Sequence, residues 1–173
     1  RILFEDRDLV VINKDAGVLT VPTPKREDDT IVAQLKAHLQ KKNPEGRAWI
    51  VHRLDRDVSG VLAFAKNRRA CEGVVEQFRE HKPERLYVAL VEGEMRRDRG
   101  TYDGRLGTTK SLRRFVARNN QEGEPAVTHY EVKARLQDMT LVEIQLETGQ
   151  RNQIRVHFAH DGHPVLGDKR YGN

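Results

Sequence analysis

The sequence predicts an α+β protein, and three observations predict it. At least eight short runs carry the alternation or apolar density of strands, only three stretches carry helical spacing, and a two-residue link closes a hairpin between two of the strands. A chain of 173 residues is long enough for one domain with a real core, so a single domain over residues 1–173 is the simplest organisation.

Ile2–Glu5 and residues 8–13 read as two short strands split by the charged turn Asp6-Arg7, and Lys14-Asp15-Ala16-Gly17 breaks the second. Extended structure resumes over residues 18–21 until Pro22 and Pro24 stop it. Residues 25–29 form a solvated loop in which Asp28 or Asp29 caps the next helix. Ile31, Leu35 and Leu39 recur every four residues, which predicts an amphipathic helix over 30–42 that ends near Asn43-Pro44. Trp49-Ile50-Val51 and residues 61–65 read as buried strands on either side of a charged stretch. Asn67 then caps a second helix on which Ala70, Val74 and Phe78 share a face, with His81-Lys82-Pro83 closing it.

Residues 84–93, ERLYVALVEG, are apolar on both faces, Leu86, Val88 and Leu90 alternating with Tyr87, Ala89 and Val91; this predicts a strand inside a sheet or a sandwiched layer. Residues 94–107 and 110–118 are the densest basic region and read either as loops or an exposed hairpin that meets phosphate or as a solvated, flexible insertion. A turn over residues 121–125 leads to strands over 126–137 and 140–147, joined at Asp138-Met139 as a hairpin. Thr148 caps a third helix from about residue 150 to residue 161, with Arg151 and Arg155 one turn apart and Gly162 and Pro164 as its stop.

The totals narrow the function classes. Lys and Arg number 31 against 26 Asp and Glu, a formal charge of +5 that admits a polyanionic partner without demanding one. A single cysteine, Cys71, rules out an internal disulfide and any cysteine-based zinc site. With no apolar run of about 18 residues and no signal peptide, the expected location is a reducing, cytoplasmic compartment. No P-loop or dinucleotide glycine pattern is present. His157, His160 and His163 form an H-x-x-H-x-x-H run, but no carboxylate or cysteine spacing completes a metal site, so packing, capping or RNA contact is the reading.

The stretch at residues 52–60, HRLDRDVSG, packs two arginines, a histidine and two aspartates between apolar runs. Charges tethered that closely to a core must be paired, solvated or used. Asp55 is the first candidate for chemistry, because loops held by flanking strands are where reactive groups sit. Arg53, Arg56 and, if the fold brings it near, Arg155 can hold it as an anion; the competing reading is that Arg53, Asp55, Arg56 and Asp57 merely form surface ion pairs.

Three separated segments together resemble the RluA-like pseudouridine synthase family. HRLDRDVSG is similar to its nucleophile motif HRLD-x-x-T-S-G, ERLYVALVEG to its tyrosine-bearing strand, and LETGQRNQIRVHFAHDGHPVLGDKRYG to its third motif; VVINKDAGVLTVP looks like its opening segment. The resemblance spans residues 2–172, and its ordered set of motifs is far more specific than a lone HRLD. It implies a mixed, mostly antiparallel sheet with flanking helices and a central RNA-binding cleft.

Position by position, the resemblance makes Asp55 the nucleophile, sets Tyr87 against the target uracil, pairs Arg155 with Asp55, and lets Arg53 fill the space left when the nucleotide flips out. His52 and Leu54, beside Arg53, join the substrate-binding set. The implied reaction is isomerisation of uridine in ribosomal or transfer RNA, by a monomer that needs no cofactor and no metal. Extrusion of the base is also what the chemistry demands, since a stacked uridine cannot be reached in place. The chain departs from the pattern at Asp15 (usually proline), Val58 (usually threonine), and Gln150 and Asn152, where the family commonly has arginine and histidine. Because the chain opens on Arg1 and the family's sequences usually continue past GDKRYG, the expectation is a catalytic domain cut short at both ends. Two other readings compete: a non-catalytic RNA-binding protein that keeps the fold, and a hydrolase using Asp55 with Asp57.

Overall fold

In the computed structural model, which describes residues 1–23, 28–118 and 122–172, the chain divides into two compact units, Arg1–Lys82 and Pro83–Asn173. The sequence reading treated them as one domain. Pro24, most of the 25–29 loop and Gln121 of the 121–125 turn lie outside the described residues.

The first unit is built on a four-stranded sheet in the order β1 (Ile2–Glu5), β2 (Leu9–Lys14), β4 (Gly60–Ala65), β3 (Trp49–Ile50), every neighbour antiparallel. Alternation decides what is buried. Val10, Ile12 and Lys14 share the covered face of β2, and Leu62 and Phe64, which stand opposite Ile12 and Val10, are fully buried with them. Each such apolar side chain is worth roughly 1.5–3 kcal/mol. Two residues expected to be covered are not: Ile50 and Val61 face solvent, because each lies out of phase with its strand's covered positions. Helix α1 (Ile31–Gln40) buries Ile31, Leu35 and Leu39 as its spacing requires. Its cap is Thr30, whose hydroxyl accepts from the Ala33 N–H, and not Asp28 or Asp29. Thr30 takes that place because it is held by a parallel bridge to Leu19, which fixes the chain's entry into the helix. Helix α2 (Arg68–Arg79) begins at Asn67 as expected, with Asn67 Oδ1 accepting from the Ala70 N–H.

The second unit is a five-stranded antiparallel sheet in the order β5 (Leu86–Glu92), β9 (Met139–Leu146), β8 (Glu124–Leu136), β6 (Arg99–Thr108), β7 (Arg114–Val116). Its core sets Val91, Val142, Ile144 and Tyr130 against Phe158 of α3 (Gln153–His160). The basic segments form a hairpin, β6 against β7, and Glu124 and Pro125 already belong to β8 instead of a turn. The hairpin between β8 and β9 turns at residues 137–138, with Asp138 in the left-handed region at φ 57°.

Two expectations fail here. β5 is the sheet's edge strand, not an interior one, and Leu86 and Val88 are 61% and 68% exposed on its outer face. An apolar pattern on both faces does not by itself distinguish an edge from a centre. The third helix starts three residues late, at Gln153, since Asn152 sits at φ 57°, which no helix continues through. Thr148 does not cap it: its hydroxyl accepts from the Val127 N–H and donates to Gln153 Oε1, tying the turn to β8.

Candidate active site

Residues 52–60 fold as a loop between β3 and β4, and the first unit holds that loop by its main chain. Lys14, 1% exposed at the end of the covered face of β2, spends its three ammonium protons on the carbonyls of Asp15, Val18 and Arg56, at 2.9, 2.8 and 2.9 Å. Burial pushes its ammonium below the usual lysine range, while the charges of Asp57, Asp15 and Asp55 push back. The Arg56 carbonyl accepts a second bond from the Gly17 N–H at 2.9 Å, so the VINKDAG segment and the HRLD loop are stitched together at one atom. Thr20, also buried, brackets Leu54: its hydroxyl donates to the Leu54 carbonyl at 2.8 Å and accepts from the Leu54 N–H at 3.4 Å. A turn bond from the Val58 N–H to the Asp55 carbonyl, and Gly60 at φ 134°, return the chain to β4.

These anchors sort the sequence-predicted residues. Leu54 is buried, the side chain that plugs the loop into the unit. His52 accepts the Ala63 N–H at Nε2 (3.0 Å) and stacks on Phe78 with ring centroids 4.9 Å apart, so its ring fastens the loop's start to β4 and α2. Arg53 is exposed, and among the described residues its guanidinium makes no hydrogen bond or ion pair. Asp55 is half-buried, and among the described residues of its own unit its carboxylate accepts no hydrogen bond. The loop therefore fixes where Asp55 and Arg53 stand while leaving their charged ends uncommitted in that unit.

In the second unit Tyr87 stands on β5 opposite Ile144, on the face that α3 covers, and packs against the core there. Arg155, on α3, is gripped from below: its Nε and Nη2 donate to the two oxygens of Asp168 at 2.6 and 2.7 Å, and Nη1 donates to Asn152 Oδ1 at 3.3 Å. Asp168 also accepts the N–H groups of Arg170 and Tyr171. Its burial pushes the carboxyl up, but the bonds from Arg155 and from those two N–H groups outweigh this and leave it below the usual aspartate range.

Asn152, a departure from the family pattern, thus touches Arg155 directly and donates from Nδ2 to the Tyr171 hydroxyl at 3.1 Å. Gln150, another departure, donates to the Pro125 carbonyl at 3.2 Å. Gln153 is 2% exposed with every amide position used, donating to the Val127 carbonyl and the Thr128 hydroxyl and accepting from Thr148 and the Gln150 N–H. That network draws residues 148–152 into a turn instead of a helix.

The sequence reading missed Lys14, Thr20, Gln153 and Asp168. Lysine at a covered position of a β-strand was the one visible sign, since period-2 alternation puts residue 14 on the same face as Val10 and Ile12. The histidines divide. His157 is buried against the Thr128 hydroxyl at 2.9 Å, and desolvation, helped by His160, pushes it down to about 4. His163 reaches the Glu92 carbonyl through Nδ1 at 2.9 Å.

Comparison with known proteins follows the same lines. A family described as RNA pseudouridylate synthase matches residues 8–160. An uncharacterized RNA pseudouridine synthase, YlyB of Bacillus subtilis, is 43% identical over 99% of this chain and 57% of its own length. The ribosomal large subunit pseudouridine synthase D of Zymomonas mobilis is 39% identical over 99% of this chain and 55% of its own. Among solved structures, human RNA pseudouridylate synthase domain containing 4 superposes with a TM-score of 0.83 at 27% identity, covering 98% of this chain and 68% of that one. The chain spans a little over half the length of these two curated relatives.

Proposed function

Since the chain belongs to the RNA pseudouridylate synthase family, we propose that it isomerises specific uridines in structured RNA to pseudouridine, with ribosomal RNA favoured over transfer RNA. The observation that carries this reading is the loop at residues 52–60: a half-buried carboxylate held in place by main-chain anchors and uncommitted within its unit, in the motif where the family keeps its nucleophile. Two further relatives at 39% and 37% identity are also named ribosomal large subunit pseudouridine synthase D, which supports ribosomal RNA as the substrate.

In this reading Asp55 is the nucleophile. The N1–C1′ bond of uridine breaks, the uracil turns, and a C5–C1′ bond forms; C5 gives up its proton and N1 gains one, so the product is an isomer. Tyr87 lies against the uracil, Arg155 supports the Asp55 anion, and Arg53, reaching into solvent, occupies the gap left by the extruded nucleotide with His52 and Leu54 holding the loop beneath it. The reaction is redox-neutral and takes no second substrate, so it calls for no redox cofactor; the reading further takes the protein to work without metal, as a monomer in the cytoplasm. Mapping pseudouridines in the source cell's RNA with and without the gene tests the proposal. Loss of one or a few ribosomal RNA sites is the expected result; an unchanged map refutes it.

A further inference from the structure

Three arginines of the second unit converge on one ring, and a fourth is tied in beside it. The guanidinium carbons of Arg155, Arg113 and Arg170 lie 5.1, 5.4 and 5.8 Å from the centroid of Tyr171. Arg151 joins them through the hairpin tip: the Leu112 carbonyl accepts from Arg151 Nη2 at 2.7 Å and from Arg170 Nη2 at 2.9 Å. The Tyr171 hydroxyl accepts from the Arg114 N–H at 3.2 Å and from Asn152. Three separate stretches, the tip of the β6–β7 hairpin, the turn before α3 and the last residues described, are thereby tied at Tyr171.

Among the described residues Asp168 is the one carboxylate that bonds these guanidinium groups, and both its oxygens accept from Arg155. Arg113, Arg151 and Arg170 are exposed, and among the described residues none of their guanidinium groups has a carboxylate partner. What holds them together is neutral: a ring face under Arg113 and Arg170, and a carbonyl that takes one edge of Arg151 and of Arg170, and both leave the charge in place. Like charges gathered without a counterion repel unless an anion joins them, and a planar fork with open donors is the shape that takes a phosphate through two bonds.

We propose that Arg113, Arg151 and Arg170 form a clamp for the phosphates of the substrate RNA, assembled by Tyr171 and the Leu112 carbonyl around the base of Arg155. This rests on the reading of the protein as an enzyme acting on RNA and adds where the strand is gripped. The clamp reads no sequence. It sets the register of the backbone next to a side chain that the same ring and Asn152 hold in place.

The test is the salt dependence of RNA binding by the full chain, measured with a fluorescein-labelled transcript of a uridine-containing ribosomal RNA stem–loop. Each phosphate that the protein no longer neutralises should reduce the slope of log K against log salt by about 0.7–0.9. Changing Arg113, Arg151 and Arg170 together to Gln should therefore reduce it by about two. A second triple variant, Arg7, Arg68 and Arg79 to Gln, changes net charge equally at exposed first-unit arginines that already pair with Asp8, Glu72 and Glu76, and it should leave the slope nearly as it was. Equal slopes for the clamp variant and the unmodified chain, with circular dichroism showing both folded, overturn the clamp; so does an equal loss in the two triple variants. Pseudouridine formed by the unmodified chain together with an unchanged slope in the clamp variant removes the clamp and keeps the enzyme. Binding with the expected slope change but no isomerisation removes the enzyme and keeps the clamp.

Discussion

The two units hold their key side chains in opposite ways. In the first, the loop that carries Asp55 is fastened through its backbone carbonyls, that of Arg56 on Lys14 and that of Leu54 on Thr20, and the side chains of Arg53 and Asp55 are left uncommitted within the unit. In the second, Arg155 is fastened through its own guanidinium, by Asp168, Asn152 and the ring of Tyr171. A group that must form and break a bond is best positioned by its main chain, which leaves its reactive atoms available. A group that acts by charge can be held by its charged end, since the field it supplies survives the bonding. Substitutions that damage the first unit's anchors should therefore act through geometry, and those in the second through charge and protonation.

The largest effect on stability is expected at Lys14. Lys14→Met keeps the length and apolar stem but strips three carbonyls of their donor, so urea unfolding should show a loss of about 3 kcal/mol, with pseudouridine formation falling at least about tenfold even at permissive temperature. A stable, fully active variant would break the comparison on the first unit's side. Next comes the second unit's response to acid. His157 takes up a proton near pH 6.5 in the unfolded chain but only near pH 4 in the fold. The unfolded state thus binds more protons between those values, and stability drops as the pH falls through that window, by up to about 3 kcal/mol. Unfolding measured from pH 7 to pH 4 should show this decline, and His157→Gln should flatten it; a parallel decline in the variant would assign it to other groups.

How much of this was legible beforehand depends on which physical rule governed each place. The apolar face of α1, the Asn67 cap and the β8–β9 hairpin follow from local spacing and were read correctly. The start of α3 was not, because Gln153 and Thr148 take the turn's polar groups across to β8, and no local pattern announces partners 21 and 26 residues away. The edge position of β5 depends on which strands pair, which a sequence apolar on both faces leaves open. At the candidate site, the motifs led to Asp55, Tyr87 and Arg155, yet the groups beneath them, Lys14, Thr20 and Asp168, are chosen by tertiary contacts.

Asp168→Asn sharpens the comparison from the charge side. It keeps an acceptor for the backbone but removes the two-oxygen grip on Arg155, and it should cost about 2 kcal/mol of stability, since Arg155 is partly solvated. The expected loss in kcat/KM is on the order of a hundredfold through misplacement of the guanidinium. An equal loss of stability with unimpaired catalysis would make Asp168 purely structural. The smallest effect belongs to Glu5, outside the loop. Hydrogen bonds from Lys66 and then His38 hold its carboxyl down to about 2 from an ordinary 4.5. That stabilisation is present above pH 4.5 and lost as the pH falls toward 2, and solvent screening limits Glu5→Gln to about 1 kcal/mol at neutral pH. A cost that persisted below pH 2 would show that packing, and not the ion pair, is what Glu5 supplies.

The most direct test of the whole account is Asp55→Asn, compared with the unmodified chain on the same in vitro ribosomal RNA transcript, reading pseudouridine formed and RNA bound. A carboxylate placed by its backbone and reserved for chemistry predicts that the variant folds and binds RNA largely as before but forms no pseudouridine. Isomerisation at the unmodified rate by that variant would contradict the account.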